Sequence, residues 1–160
     1  MVTLKLAKPE DAKRLGEVLF NCLKETFGDD PRIGSVEDYV NYFKKNKCND
    51  TVLGIYDSKI AGFCNYGKEL DDNFFTDAGE VYNLYILKDF QKHGDGRRLL
   101  HEAVRKLRQQ EYNTAVVWID EDNKNAMGFY EALGFKNSNL SYDYECEGKT
   151  YKKIQFMRSI

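Results

Sequence analysis

Apolar positions in this chain recur with two different periods, and the switches between them divide it into eleven elements. Val2, Leu4 and Leu6 alternate with polar neighbours, the period of a half-buried strand. After Pro9 the spacing changes: Ala12, Leu15, Leu19, Cys22 and Leu23 fall on one helical face, ending before the loop Gly28-Asp29-Asp30-Pro31. Ser35 followed three residues later by Asp38 reads as a capping-box start, with Val36, Tyr39, Val40 and Phe43 as the apolar face of a second helix. Thr51–Tyr56 and Ile60–Tyr66 then flank Asp57-Ser58-Lys59 as a hairpin. A polar loop from Glu69 to Gly79 leads to a strand over Glu80–Leu87.

Beyond Gly94-Asp95-Gly96, the spacing of Leu99, Leu100, Ala103, Val104 and Leu107 predicts a third helix. Thr114–Ile119 reads as a short buried strand, and Asn123 to Leu133 as a fourth helix. Gly134 stands after it, where a left-handed residue closes a helix. Two closing strands, Lys136–Glu145 and Thr150–Met157, turn around Glu147-Gly148. The order β-α-α-β-β-β-α-β-α-β-β describes a mixed α/β domain with one central sheet, expected to occupy residues 1–160 as a single unit.

Composition narrows the possible functions. The chain has 160 residues, 42% of them hydrophobic and 14% aromatic, which excludes intrinsic disorder. A net charge of −2 leaves no electrostatic footprint for nucleic acid. The longest apolar run, Ala115 to Ile119, falls far short of the roughly 20 residues of a membrane span. The N-terminus carries no apolar signal region, so a cytoplasmic protein is expected. Cys22, Cys48, Cys64 and Cys146 are scattered, and both histidines, His93 and His101, are far from them in sequence. Reduced structural thiols and no metal site are expected.

Three constellations could carry chemistry. Gln91-Lys92-His93-Gly94-Asp95-Gly96 joins a strand to a helix. Glycines there let backbone approach a ligand closely, and the helix start offers unpaired N–H groups suited to a pyrophosphate. The third glycine of a dinucleotide fingerprint is replaced by Leu99, and no G-K-S/T follows as in a P-loop. Second, Asn123 caps an amphipathic helix with Ala126, Phe129, Tyr130 and Leu133 on one broad face; the tip of Tyr130 needs a polar partner if its ring is buried. Third, Glu80 heads a strand face shared by alternation with Tyr82, Leu84 and Ile86. It is either exposed at the strand end or held there for chemistry.

Together the first two motifs resemble the signatures of the GNAT superfamily of acetyl-CoA-dependent N-acetyltransferases. Gln91, Gly94 and Gly96 fill the family's R/Q-x-x-G-x-G/A loop. Asn123, Ala126, Phe129, Tyr130, Glu131, Gly134 and Phe135 fill a pattern similar to N-x-x-A-x-x-F-Y-E-x-x-G-F. The resemblance implies the GNAT fold, one mixed and mostly antiparallel sheet flanked by four helices. It also implies acetyl-CoA as co-substrate with no metal. Backbone groups of Leu84, Tyr85 and Ile86 would meet the pantetheine arm, and the segment Lys92, His93, Gly94, Asp95, Gly96, Arg97 the pyrophosphate. Glu80, eleven positions before Gln91, would be the general base, and Tyr130 the acid for the departing thiolate. Asp95 departs from the pattern. An acid beside a pyrophosphate is adverse unless it turns outward and caps the helix, with Lys92, His93, Arg97 and Arg98 as compensation.

The acceptor implied is a small primary amine carrying further positive charge, drawn by acids around the expected entrance: Asp29, Asp30, Glu69, Asp71, Asp72, Asp77, Asp143, Glu145 and Glu147. The alternatives are a non-catalytic acyl-CoA-binding sensor and a protein or peptide N-acetyltransferase. Tyr142, Tyr144, Tyr151, Ile154, Phe156 and Met157 on the closing strands suggest a homodimer.

Overall fold

The computed structural model describes residues 1–70 and 77–160. Seven strands, β1 (Thr3–Leu6), β2 (Thr51–Tyr56), β3 (Lys59–Lys68), β4 (Ala78–Ile86), β5 (Thr114–Asp120), β6 (Lys136–Cys146) and β7 (Lys149–Ser159), form a sheet of order β1-β2-β3-β4-β5-β7-β6. Four helices accompany it: α1 (Ala12–Phe27), α2 (Val36–Lys45), α3 (Asp95–Gln109) and α4 (Lys124–Ala132). The element order is the one read from the periodicities, and the fold is mixed α/β with a mostly antiparallel sheet. The parallel exception is β4 with β5, in register from Ala78↔Thr114 to Val81↔Val117.

The described residues group into two compact units. One comprises Met1–Asn65 and Asn83–Ala103. Its core is built by α1, α2, β2 and β3: Leu15, Val18, Leu19, Cys22, Phe43, Leu53 and Phe63 are all buried. Phe43 and Phe63 meet edge to face at 5.5 Å, a favoured arrangement of ring quadrupoles. Helix α2 begins as its sequence demands. Ser35 accepts the Asp38 amide and Asp38 accepts the Ser35 amide, at 3.1 and 2.9 Å.

The other unit comprises Tyr66–Tyr82 and Val104–Ile160. Ala115, Val116, Val117 and Ile119 of β5 are buried, as are Leu107, Tyr130, Phe135 and Phe156. Asn123 caps α4 by accepting the Ala126 amide at 3.2 Å. Gly134 adopts φ +89°, the left-handed closure expected there. Glu147 and Gly148, at φ 49° and 76°, make the tight turn between β6 and β7. Phe156 lies in the core, whereas Tyr142 stays exposed and Tyr144 stacks on Tyr151 at 5.6 Å, so only part of the apolar face expected on the closing strands is open.

Candidate active site

In the first unit the glycine loop and the end of β4 are tied together. Gln91 donates from its amide nitrogen to the Ile86 carbonyl at 2.8 Å, bracing the strand end against the loop that follows. Lys92 and Gly94 both adopt positive φ, 65° and 82°. Gly94 has no atom within 4 Å of where a Cβ would stand, so it is the conformation rather than crowding that calls for glycine. The chain then enters α3, where the Gly94 carbonyl accepts the Arg98 amide at 3.2 Å. Lys92, His93 and Arg97 are exposed. A loop with two left-handed residues opening a fifteen-residue helix fits an anionic group, since the helix start supplies amide donors and a positive dipole end.

Asp95 does not turn outward, the condition named above for tolerating an acid beside a pyrophosphate. It is 3% exposed, and its Oδ1 accepts the Val2 amide at 3.3 Å while pairing with Arg98 at 3.0 Å. Its charge is thus matched internally rather than turned to solvent. Tyr85 leans against Phe63 at 6.5 Å, and the backbone of Tyr85 and Ile86 lies directly against Gly62. Leu84 lies partly buried in the same stretch of β4. A polar chain that sequence reading did not find runs beside it: Asn83 donates to Asn65 at 3.0 Å, and Asn65 donates to the Tyr42 hydroxyl at 2.9 Å.

In the second unit Glu80 is 7% exposed, so the exposed strand end is not where it sits. Its Oε1 accepts the Leu70 amide at 3.1 Å. Glu80 stands in register with Val116, and Val116 with Met157, so those three share a row on one face of the sheet. Tyr130 is buried on α4, its ring edge-on to Phe129 and Phe135 at 5.2 and 5.3 Å. Asn123 and Ala126 are engaged with each other in the α4 cap.

Two further buried polar residues lie outside the motifs, Gln155 and Glu69, the latter expected among the acids of the entrance but held in the interior. Glu69 is 2% exposed and Gln155 fully buried; Gln155 donates to Glu69 at 3.4 Å and accepts the Ser138 hydroxyl at 2.7 Å. The pairing joins residues 86 positions apart, so only its alternation on β7 could have flagged Gln155.

The acids expected at the entrance are variously engaged. Asp29 pairs with Lys24 at 2.7 Å, and that bond and charge hold its carboxyl below the usual range. Asp30 takes a forked contact from Arg32, at 2.9 and 2.8 Å. The cation that relieves the Asp29-Asp30 repulsion is therefore supplied by the chain itself. Asp71 and Asp72 lie outside the described residues. Burial pushes Cys22 up to about 12 and Cys48 to about 11, and raises Cys64 as well, so these thiols stay protonated at neutral pH. Among the described residues no group of three metal-ligating side chains gathers, and no helix is long and apolar enough to cross a membrane.

Comparison with known proteins places this geometry. The model of the acetyltransferase (GNAT) family matches residues 17–135. An uncharacterized N-acetyltransferase of Bacillus subtilis is 30% identical over 142 residues, covering 82% of this chain and 79% of the relative. The mycothiol acetyltransferase of Streptomyces coelicolor is 41% identical over 69 residues, only 43% of this chain and 22% of the relative. Two solved structures share the fold. The ribosomal-protein-alanine N-acetyltransferase of Brucella melitensis has TM-score 0.79 at 15% identity, over 99% of this chain and 100% of the other. The PaiA N-acetyltransferase of Thermoplasma acidophilum, solved in complex with coenzyme A, has TM-score 0.71 at 18% identity, over 100% and 99%. On the family match and the 30% relative, the chain belongs to the acetyltransferase (GNAT) family and is an N-acetyltransferase.

Proposed function

We propose that this enzyme transfers the acetyl group of acetyl-CoA to a primary amine, with Glu80 as general base and Tyr130 as general acid. The observation that carries the reading is the Gln91–Gly96 turn, whose left-handed Lys92 and Gly94 lead into α3 on a chain of this family. Bound acetyl-CoA supplies the thioester carbonyl that the amine attacks. Amides from Lys92 to Arg97 hold its pyrophosphate, the backbone of Leu84, Tyr85 and Ile86 its pantetheine arm, and the α4 residues Asn123, Ala126 and Phe129 border the cofactor. All of residues 1–160 act as one catalytic domain in this reading, supported by a family match that includes residues of both units.

An alkyl ammonium with a pKa near ~10.4 is only about one part in a thousand neutral at pH 7. Glu80 accepts its proton, directly or through water, a role worth roughly 10²–10⁴ in rate. The nitrogen then bonds to the acetyl carbon, the Leu84 amide donates to the developing oxyanion, the carbon–sulfur bond breaks, and the second nitrogen proton passes to water. The Tyr130 hydroxyl gives its proton to the departing sulfur, as a phenol, protonated at neutral pH, can do, and regains one from solvent.

The acceptor is a small amine bearing further positive charge. The buried carboxylate of Glu80 on the sheet face of the second unit supports this choice, whereas Asp120, met by Lys153 and the Tyr144 hydroxyl, does not. Asp29 and Asp30, already paired, do not. The protein acts in the cytoplasm, as a homodimer through its exposed closing strands. A screen of amines and peptides for coenzyme A release tests the class. Turnover on a small cationic amine is expected; coenzyme A binding with no turnover on any acceptor points to a sensor, and turnover on peptides alone to a protein acetyltransferase. Glu80→Gln and Tyr130→Phe should each change one limb of the pH–rate profile, and an unchanged profile in both removes the role assignment.

A further inference from the structure

Glu69 lies just past the end of β3, its amide held by the Ala78 carbonyl at 3.0 Å, while Gln155 lies on β7. In the sheet order, β4 and β5 stand between them. Three strand spacings amount to roughly 14 Å. The 3.4 Å bond between the two side chains therefore forms only if both are extended toward each other across the face of β4 and β5. Glu80 stands on that same face, and its carboxylate is held by the amide of Leu70, the residue next to Glu69. Two buried carboxylates thus share one patch of sheet.

We propose that Glu69 is a positioning residue for the base: its carboxylate, anchored through Gln155 and Ser138, sets the pH at which Glu80 exchanges its proton. This rests on the reading of Glu80 as the base. Two carboxylates confined to one site cannot both ionise freely, so the charge on one raises the proton affinity of the other. A base whose proton affinity is moved toward the working pH is better matched to an ammonium. Among the described residues, the other charged groups on this face lie farther along it. In the row of Glu80, Val116 and Met157 are uncharged and Lys136 stands three strands away on β6; Gln155 and Trp118 fill the next row. Beyond them Asp120 and Lys153 stand 3.9 Å apart, and Asp120 also accepts the Tyr144 hydroxyl. The Tyr82 hydroxyl donates to the Lys68 carbonyl. Helix α3 meets β4 at Gly79, one residue out of phase with Glu80 and so on the opposite face.

The test combines kinetics with direct titration in the full-length enzyme. Glu69→Gln keeps an acceptor for Gln155 but removes the charge. It should move the acid limb of kcat/KM to lower pH by on the order of one unit. A loss of activity with an unmoved limb would mean a structural role and overturn the proposal. Carbon-13 titration of labelled glutamate carboxyls needs no turnover. The Glu80 shift caused by Glu69→Gln must equal the Glu69 shift caused by Glu80→Gln, because coupling between two sites is reciprocal. Titrations that ignore one another overturn the pairing. If Glu80→Gln leaves the rate and profile intact, the base assignment falls, whereas the reciprocal titration still decides whether the carboxylates are coupled.

Discussion

Replacing Gly62 with alanine tests whether the backbone of β4 at Tyr85 and Ile86 is as closely supported as its proposed role requires. Gly62 sits inside β3 opposite Gly54 of β2. A methyl group there would stand 2.6 Å from the Tyr85 carbonyl oxygen, 2.8 Å from Ile86 Cγ1 and 3.0 Å from Ile86 Cα. The first contact is about 0.8 Å short of the 3.4 Å at which ordinary packing begins. Two of the three atoms are backbone, so no rotamer change can relieve them. The amide of Leu87, bonded to the Ala61 carbonyl at 2.9 Å, further limits how far β4 can retreat.

Overpacking of this kind costs about 1–3 kcal/mol, offset by roughly 0.5–1 kcal/mol because alanine loses less chain entropy than glycine. A net loss of about 1–2 kcal/mol lowers Tm by roughly 2–8 °C for a chain of this length. Displaced Tyr85 and Ile86 groups should also raise KM for acetyl-CoA several-fold more than KM for the amine. Urea and thermal unfolding read the first effect, and two-substrate kinetics the second. Wild-type stability with an unchanged KM for acetyl-CoA would refute the argument.

Gly16→Ala should be more disruptive, because its methyl would lie 2.5 Å from the Val40 amide nitrogen and 2.7 Å from Val40 Cα where α1 crosses α2; unfolding at least about 2 kcal/mol easier is expected by urea titration. Gly128→Ala, with nothing within 4 Å, should instead stabilise α4 by about 0.5–1 kcal/mol in the same assay. Asp95→Asn strips the charge that Arg98 and the Val2 amide meet, and should cost about 1–2 kcal/mol, discounted for the partly exposed Arg98. Alkali should destabilise the fold: Cys22 and Cys48 hold their protons to about 12 and 11 against an ordinary 9.0. The unfolded chain releases them first, so stability is complete below pH 9 and falls as pH climbs above it, seen as a declining urea midpoint.

Local rules proved most legible where one residue type answers one geometric need. Ser35 with Asp38 made the cap of α2, Asn123 that of α4, and Gly134 took the left-handed turn after it. Strand ends were less legible. Strand β3 runs on to Lys68 and β7 to Ser159, because ladder partners extend past the apolar run and hold polar residues in place. The same limit hid the polar interior. Asn65 reads as a polar interruption of a strand, yet it links Tyr42 of α2 to Asn83 of β4. Gln155 reads as one polar position between Ile154 and Phe156, and its partner Glu69 is chosen by the sheet order, which no local pattern encodes.

Asp95 illustrates how a residue that looks adverse by sequence becomes useful by placement. Judged by charge alone, it opposes an anion at the head of α3. Its burial, however, takes the carboxylate into the protein, where the Val2 amide and Arg98 meet it. Arg98 in turn donates to the Val2 carbonyl at 2.6 Å, so one acid and one base clamp the entry to β1 onto the first turn of the helix. A negative charge in the first turn of a helix also interacts favourably with its dipole. The cations left exposed in the loop, Lys92 and Arg97, are then not consumed by Asp95. An apolar residue at that position could pack beneath the loop but could not hold Val2 and Arg98 together, and the clamp explains why an acid is tolerated at a site that otherwise gathers positive charge.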